Sequence, residues 1–417
     1  MVSNTWDVIV IGAGPAGLAA AIAAHQAGAS VCLVERESRP GGILKQCIHD
    51  GFGLIRYAEK LTGPEYAWRD IEEVRRLRIP IYTETFLLQL HREAGGFALT
   101  LQNQELAVFQ LSARALVAAT GCRERTSRQV RIHGQRPAGI YTAGTVQHLI
   151  NIEGYLPGRR CVILGSGDIG LIMARRLVLE GAQVEGVYEI KGEPSGLTRN
   201  LVQCLQDYNI PLHLSTTVTE VLGKERVEGV RVCPVDEEMQ PQLGSSRIVP
   251  CDTLIISVGL IPENDIHAPL GVELDSRTSG PAVDQRLSTN VPGLFSCGNA
   301  LHVNDLVDYV SESGATAGLA AAQYAQGQGV TKVHLDLLTQ GDILYAVPSR
   351  LDLLVGGEAV IYLRSSRTIH NAQVDLIVDG VTVLTKKYSV LRPPEMERIS
   401  LDMAKVAAEA REVILRV

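Results

Sequence analysis

Gly12, Gly14 and Gly17 stand at the spacing G-x-G-x-x-G, and Gly165, Gly167 and Gly170 repeat it. Each set follows a short apolar run and opens an Ala/Leu-rich segment. That pattern suits the binding of a dinucleotide pyrophosphate. The first glycine permits a tight turn, the second lets the backbone approach the phosphates, and the third lets the helix pack close to the strand. The helix N-terminus then offers unpaired N–H groups and a partial positive charge. Pro15 costs nothing in the first helical turn. Ala16 completes the first loop, and Asp168 and Ile169 stand at the corresponding places in the second. Glu35 lies 18 residues after Gly17 and ends the next strand, with Arg36 beside it. A carboxylate there accepts from ribose hydroxyls, and Glu189 repeats it. Because a carboxylate repels a 2′-phosphate, Glu189 leads to an expectation of NADH over NADPH, although Lys191 and Arg199 are close in sequence. One such glycine set is weak; two complete strand–turn–helix–strand–acid units are strong.

A second kind of chemistry rests on Cys47, five residues after Gly42, with His49 two residues further on. A nearby imidazole stabilises a thiolate, and a thiolate against a cofactor ring is a redox candidate. The alternative is an inert thiol filling apolar space. Cys297, Tyr141, Asp305 and Asp308 are weaker candidates, each with an equally good packing or helix-start role.

The chain has 417 residues, 46% hydrophobic and 20% charged, with net charge −7. Those values suit a globular chain of about three domains. Lys and Arg are scattered, so neither nucleic acid nor an anionic membrane surface is an expected partner. No apolar run is long enough to span a bilayer, and the apolar N-terminus reads as a first strand and helix rather than a signal peptide. The eight cysteines form no C-x-x-C pair. Reduced thiols and a cytoplasmic location are expected, and the sequence gives no support for a zinc or iron–sulfur site.

The elements that must position these residues form an α/β architecture. Two Rossmann-like dinucleotide-binding domains are expected, one inserted in the other, followed by a small β-rich C-terminal module. The first domain is discontinuous, over 1–125 and 278–335. The second spans 126–277 and the β-rich module 340–417. Asp379–Gly380 marks a hairpin turn, and DMAKVAAEAREVILRV reads as a short helix followed by a strand.

Beyond the glycine turns, the chain resembles flavoproteins with two dinucleotide-binding domains, the group of glutathione and thioredoxin reductases. Ala119-Thr120-Gly121 and Ser257-Val258-Gly259 resemble the two turns where each nucleotide domain meets its connecting segment. GLFSCGN, over 293–299, resembles the second FAD motif, with Gly298 and with Asn299 where the family usually carries Asp. A closer resemblance is to a subgroup without a redox disulfide. It contains alpha subunits of heteromeric sarcosine oxidase, opine oxidases, hydrogen cyanide synthase flavin subunits and oxidoreductases encoded beside an FAD-dependent glycerol-3-phosphate dehydrogenase. GGILKQCIHDGFGL, RPAGIYTAGTVQHLIN, GLTRNLVQCL and CGNALHVNDLVDYVSESG carry it.

The resemblance implies FAD at Gly12, Gly14, Pro15, Ala16, Gly17, Glu35, Arg36, Gly42, Thr120, Gly121, Gly298 and Asn299. It implies a nicotinamide nucleotide at Gly165, Gly167, Asp168, Ile169, Gly170, Glu189 and Gly259. Hydride would pass between nicotinamide and flavin. The disulfide reductases carry redox cysteines two and seven residues after the glycine pair; Cys47 matches neither position. They also contribute a His-x-x-x-x-Glu pair that the C-terminal module lacks. The leading expectation is an FAD-dependent NAD(P)H oxidoreductase exchanging electrons with a partner dehydrogenase subunit, with a small metal-binding protein as a possible carrier. The rivals are a single-cysteine reductase using Cys47 and a mainly structural flavin subunit. Oligomerisation, flux direction and substrate stay open.

Overall fold

The computed structural model describes residues 4–329 and 333–417. Two compact units emerge, one of residues 1–122 and 262–417, the other of residues 123–261. Six α-helices occur among the described residues: α1 (Pro15–Gln26), α2 (Gly63–Arg76), α3 (Ala143–Asn151), α4 (Asp168–Leu179), α5 (Thr198–Cys204) and α6 (Val307–Ala325).

The first unit is built on a seven-stranded sheet. Thr5–Ile11 lies between Val31–Val34 and Ala107–Ala118, parallel to both, and Leu294–Ser296 pairs parallel to Ala107–Ala118. The long strand Ala107–Ala118 serves two neighbourhoods. Its first half runs antiparallel to Gly96–Asn103, and its second half carries the parallel partners. Val8, Ile9 and Val10 are fully buried, as a parallel strand covered on both faces requires. One cover is made by α1 and α6, whose Gly314 and Gly318 press on the α1 backbone. A Cβ at Gly314 would stand 2.1 Å from Ala16 O, and one at Gly318 would stand 2.0 Å from Ala20 O. Only glycine allows that approach.

In the same unit the C-terminal segment forms a five-stranded and a three-stranded sheet around a shared core that includes Leu337, Leu363, Leu376, Ile399 and Val413. Asp379 and Gly380 turn the hairpin between Ile369–Val378 and Val381–Leu391, both with positive φ, +46° and +82°. This is the two-residue turn that matches strand twist. The expected helix after Asp402 is reduced to a 3-10 turn, Met403–Lys405, before the strand Val413–Arg416. Asp379 explains the shortfall: its Oδ1 accepts from the amides of Arg411 and Glu412, each at 2.9 Å, and so draws that segment onto the hairpin.

The second unit holds a five-stranded parallel sheet in the order Ile140–Thr142, Thr253–Ile256, Arg160–Leu164, Gln183–Tyr188, Leu212–His213. α3, α4 and the sheet enclose a core of Ile163, Leu171, Met173, Leu177, Val187 and Ile255. An antiparallel meander, Thr216–Leu222, Gly229–Pro234 and Arg247–Pro250, completes it. The mixed α/β architecture thus agrees with two Rossmann-like folds and a β-rich C-terminal part.

Candidate functional site

The first glycine loop joins Thr5–Ile11 to α1. Gly12 has φ +102°, and a Cβ there would meet Ala119 O at 2.4 Å. A Cβ on Gly17 would meet Gly12 O at 1.8 Å, so this glycine sets how closely α1 lies on its strand. Gly14 is different. A Cβ there would meet nothing nearer than Gly42 Cα at 3.9 Å, so the space over it is open. Gly14 is also the N-cap of α1, Pro15 follows in the first turn, and no side chain caps the helix. An open glycine and an uncapped helix start form a cradle that a side chain would fill and that a pyrophosphate suits.

Glu35 is buried. Its Oε2 accepts from Ala13 N at 2.7 Å and its Oε1 from Glu37 N at 2.9 Å. The carboxylate therefore fixes the glycine loop as well as ending its strand. Each oxygen keeps a further acceptor site for a ribose hydroxyl. Arg36 is exposed beside it. Gly41 N donates to Ala13 O at 2.8 Å, which brings Gly42 against Gly14.

The segment around Gly298 reaches the same place from far along the chain. Gly298 has φ +62°, and a Cβ there would stand 2.7 Å from Ala16 Cβ. Its amide donates to Ser313 Oγ at 2.9 Å. Asn299 Oδ1 accepts from Asn304 N at 3.0 Å, and its amide nitrogen lies 3.6 Å from Cys122 Sγ. Thr120 Oγ1 donates to Glu263 O at 2.6 Å, and Gly121 turns with φ +73°. The first cradle therefore draws Gly12–Gly17, Glu35, Gly42 and Gly298 together. Thr120–Gly121 ends the strand beside it.

The second unit repeats the cradle. Gly165 has φ +98°, with Ser257 O 2.0 Å from where a Cβ would stand; a Cβ on Gly170 would meet Gly165 O at 2.8 Å; Gly167 is nearly open. Glu189 is buried, and its Oε2 accepts from Ser166 N at 3.0 Å and Ser166 Oγ at 2.6 Å. Asp168 opens α4, where its Oδ1 accepts from Leu197 N at 2.9 Å and Asn200 Nδ2 at 2.6 Å. Ile169 packs on the unit's core. Gly259 has φ +100°, and its carbonyl accepts from Arg125 N at 3.1 Å.

Cys47 follows a 3-10 turn. Its Sγ lies 3.4 Å from Ile43 O, and burial pushes its thiol up to about 12. At neutral pH it is a protonated thiol. The His49 ring packs at a tilt of 47° against Phe52, with ring centroids 5.0 Å apart. Cys297 is fully buried, and burial raises its thiol to about 12 as well. Tyr141 packs on the core of the second unit. Asp308 accepts from Arg56 N at 2.9 Å and Gly53 N at 3.3 Å, which seats the loop after Cys47 on the start of α6. Asp305 accepts from Arg364 Nη2 at 2.6 Å and Met396 N at 2.6 Å.

Sequence reasoning missed the supports of this region. Arg56 meets Asp70 in a fork of two bonds, 2.6 and 2.8 Å, and Tyr66 donates to Ser311 Oγ at 2.9 Å. Arg364 comes from the β-rich part, with no local signal that it would pair with Asp305. The one readable hint was the run of small residues in GATAGLAAA, which marks a helix made for close packing.

The description that matches residues 6–329 is pyridine nucleotide-disulphide oxidoreductase. Hydrogen cyanide synthase subunit HcnB of Pseudomonas aeruginosa is 29% identical over 286 residues, covering 64% of this chain and 59% of that protein. An opine oxidase subunit of Agrobacterium tumefaciens is 25% identical over 347 residues, covering 78% of this chain and 64% of that protein. This chain thus spans about three-fifths of the length of those relatives. Thioredoxin reductase of T. acidophilum shares the fold, with TM-score 0.62 and 22% identity over 78% of this chain and 99% of that one. No helix among the described residues is long and apolar enough to cross a membrane. With the match running over both glycine loops, the chain belongs to the pyridine nucleotide-disulphide oxidoreductase family.

Proposed function

We propose that this chain is the NADH-preferring flavin subunit of a dehydrogenase complex, passing electrons between nicotinamide and a partner subunit. The observation that carries the reading is the pair of open glycine cradles, one in each unit and each pinned by a buried strand-end glutamate, taken together with a Cys47 whose thiol burial keeps protonated. Two dinucleotides can be held, and a dithiol step has no second cysteine near Cys47 in sequence.

Gly12–Gly17, Gly42 and Gly298 would hold FAD, with Glu35 and Asn299 toward its hydroxyls. Gly165–Gly170 and Glu189 would hold the nicotinamide nucleotide. Bound flavin supplies the hydride-accepting N5, and the chain's work is to orient and insulate it. The relatives' names support the partner: they are a subunit of hydrogen cyanide synthase and a subunit of opine oxidase. From the sequence resemblance, and not from those names, we take the partner's substrate to be glycerol 3-phosphate or another small hydroxy or amino acid.

The test is anaerobic reduction of the purified flavoprotein by NADH, followed by turnover with oxygen, with a dye and with proteins that co-purify. Rapid bleaching, slow oxygen turnover and restoration by dye or partner are expected. Fast turnover of the lone chain on oxygen, peroxide or a small disulfide would indicate a self-contained reductase. Failure to bleach would indicate a structural role in the complex.

A further inference from the structure

We propose that Asp284, His334 and Asp352 form a site for one divalent transition cation of the zinc class, clipping the C-terminal β-part to the loop that leads into Gly298. The site is independent of both dinucleotide cradles.

Backbone pairing creates it. His334 and Asp352 stand directly opposite one another in the antiparallel strands His334–Gln340 and Arg350–Asp352. Gln285 brings in the third residue. Its Nε2 donates to Asp352 O at 2.8 Å, and its Oε1 accepts from Asp352 N at 2.7 Å, which fixes the neighbouring Asp284 beside the hairpin. One donor atom from each of the three residues then lies within 4.8 Å of the other two.

The electrostatics call for a cation. Asp284 is 1% exposed and Asp352 is fully buried. Asp352 Oδ1 accepts from Val333 N at 3.2 Å and Leu354 N at 3.1 Å, whereas its Oδ2 is buried with no hydrogen-bond partner. A buried carboxylate oxygen without a donor is costly, and a second buried carboxylate alongside adds repulsion. The His334 ring reaches Asp284 Oδ2 and leaves Asp352 Oδ2 without a hydrogen-bond partner.

The geometry suits a metal. His334 Nε2 lies 3.3 Å from Asp284 Oδ2. Ligand bonds of about 2.0–2.2 Å place neighbouring donors about 3.0–3.5 Å apart, so this pair already stands at ligand separation. Each carboxylate is oriented through its other oxygen, since Asp284 Oδ1 accepts from Arg286 N at 2.9 Å and Ser288 N at 3.0 Å. Metal ligands are commonly held this way by backbone amides. Two carboxylates and an imidazole favour Zn²⁺ or Mn²⁺ over thiol-seeking ions. His334 is exposed and gives the ion a route in.

The test uses the full-length flavoprotein stripped with EDTA and titrated with ZnCl2 by calorimetry, with thermal unfolding in parallel. One Zn²⁺ per chain and a rise of several degrees in the unfolding midpoint are expected. Asp352→Asn and His334→Ala should each weaken binding at least about tenfold and abolish the rise, with flavin content and reduction by NADH unchanged. His334→Ala alters an exposed side chain and keeps the test valid should Asp352→Asn fold poorly. Absence of stoichiometric binding, or equal binding and stabilisation in wild type and His334→Ala, overturns the proposal.

Discussion

Gly42 stands so close to Gly14 that a Cβ added to Gly42 would lie 3.0 Å from Gly14 Cα. Two glycines 28 positions apart in sequence thus form the two lips of one cradle. Gly14 still has open space above it, and that contrast with Gly17 sets up the first prediction.

Gly14→Val should fold and lose FAD. Its side chain enters the open cradle rather than the core, so flavin occupancy should fall below about a tenth while the apoprotein keeps its circular dichroism. Gly17→Ala should do the reverse damage. Its Cβ would stand 1.8 Å from Gly12 O, so α1 must shift at a cost of about 1–3 kcal/mol or more. Equal flavin loss with equal unfolding in both variants would contradict this division.

Reduction of bound flavin should be at least about tenfold more efficient with NADH than with NADPH at subsaturating nucleotide. The buried Glu189 is held by Ser166 and would face a 2′-phosphate with like charge. Stopped-flow absorbance measures both rates, and equal efficiency would remove Glu189 from this role.

Cys47→Ser should leave NADH-driven flavin reduction within about twofold of wild type. With its thiol near 12, roughly one Cys47 in ten thousand is ionised at pH 8. Iodoacetamide labelling of Cys47 should accordingly be slow and rise about tenfold per pH unit up to pH 10. Rapid labelling at pH 7, or loss of the half-reaction with FAD retained, would revive the thiol mechanism.

Stability should decline as pH falls below about 6.5. Burial lowers His302 to about 3 and His267 to about 4. Both are neutral in the fold, while the unfolded chain takes up protons near 6.5. The stability they allow is present above that value and is lost as pH falls toward the folded values, on the order of several kcal/mol in sum. Urea midpoints at pH 7.5, 6 and 5 measure the slope, and His302→Leu should flatten it. An unchanged slope in that variant would assign acid sensitivity elsewhere.

Arg364→Met should destabilise the first unit by about 3–5 kcal/mol, because it strands the part-buried Asp305 carboxylate. Arg364 also donates to Tyr345 Oη at 3.0 Å and Pro393 O at 2.8 Å. Adding Asp305→Asn should recover part of the loss. Strict additivity of the two substitutions in denaturant unfolding would mean the pair is not coupled.

What the sequence determined by itself was local. Gly12 to Glu35 and Gly165 to Glu189 each complete a strand, turn, helix and strand within some 25 residues, so residue type and spacing specify backbone conformation directly. Asp379–Gly380 specified its hairpin for the same reason. Tertiary structure decided which distant loops close on those turns. Gly298 meets Ala16, Gly314 and Gly318 meet α1, and Arg364 meets Asp305, through packing between segments with no shared local signal. It also gave side chains contacts that their spacing does not announce. Glu35 and Glu189 read as ribose acceptors, and each also gives one oxygen to an amide of its own glycine loop and the other to the amide two residues further on. Cys47 read as a possible thiolate, and burial holds it protonated. Asp284, His334 and Asp352 carried no motif at all, because strand register and the Gln285 clamp, rather than spacing along the chain, bring their donor atoms together.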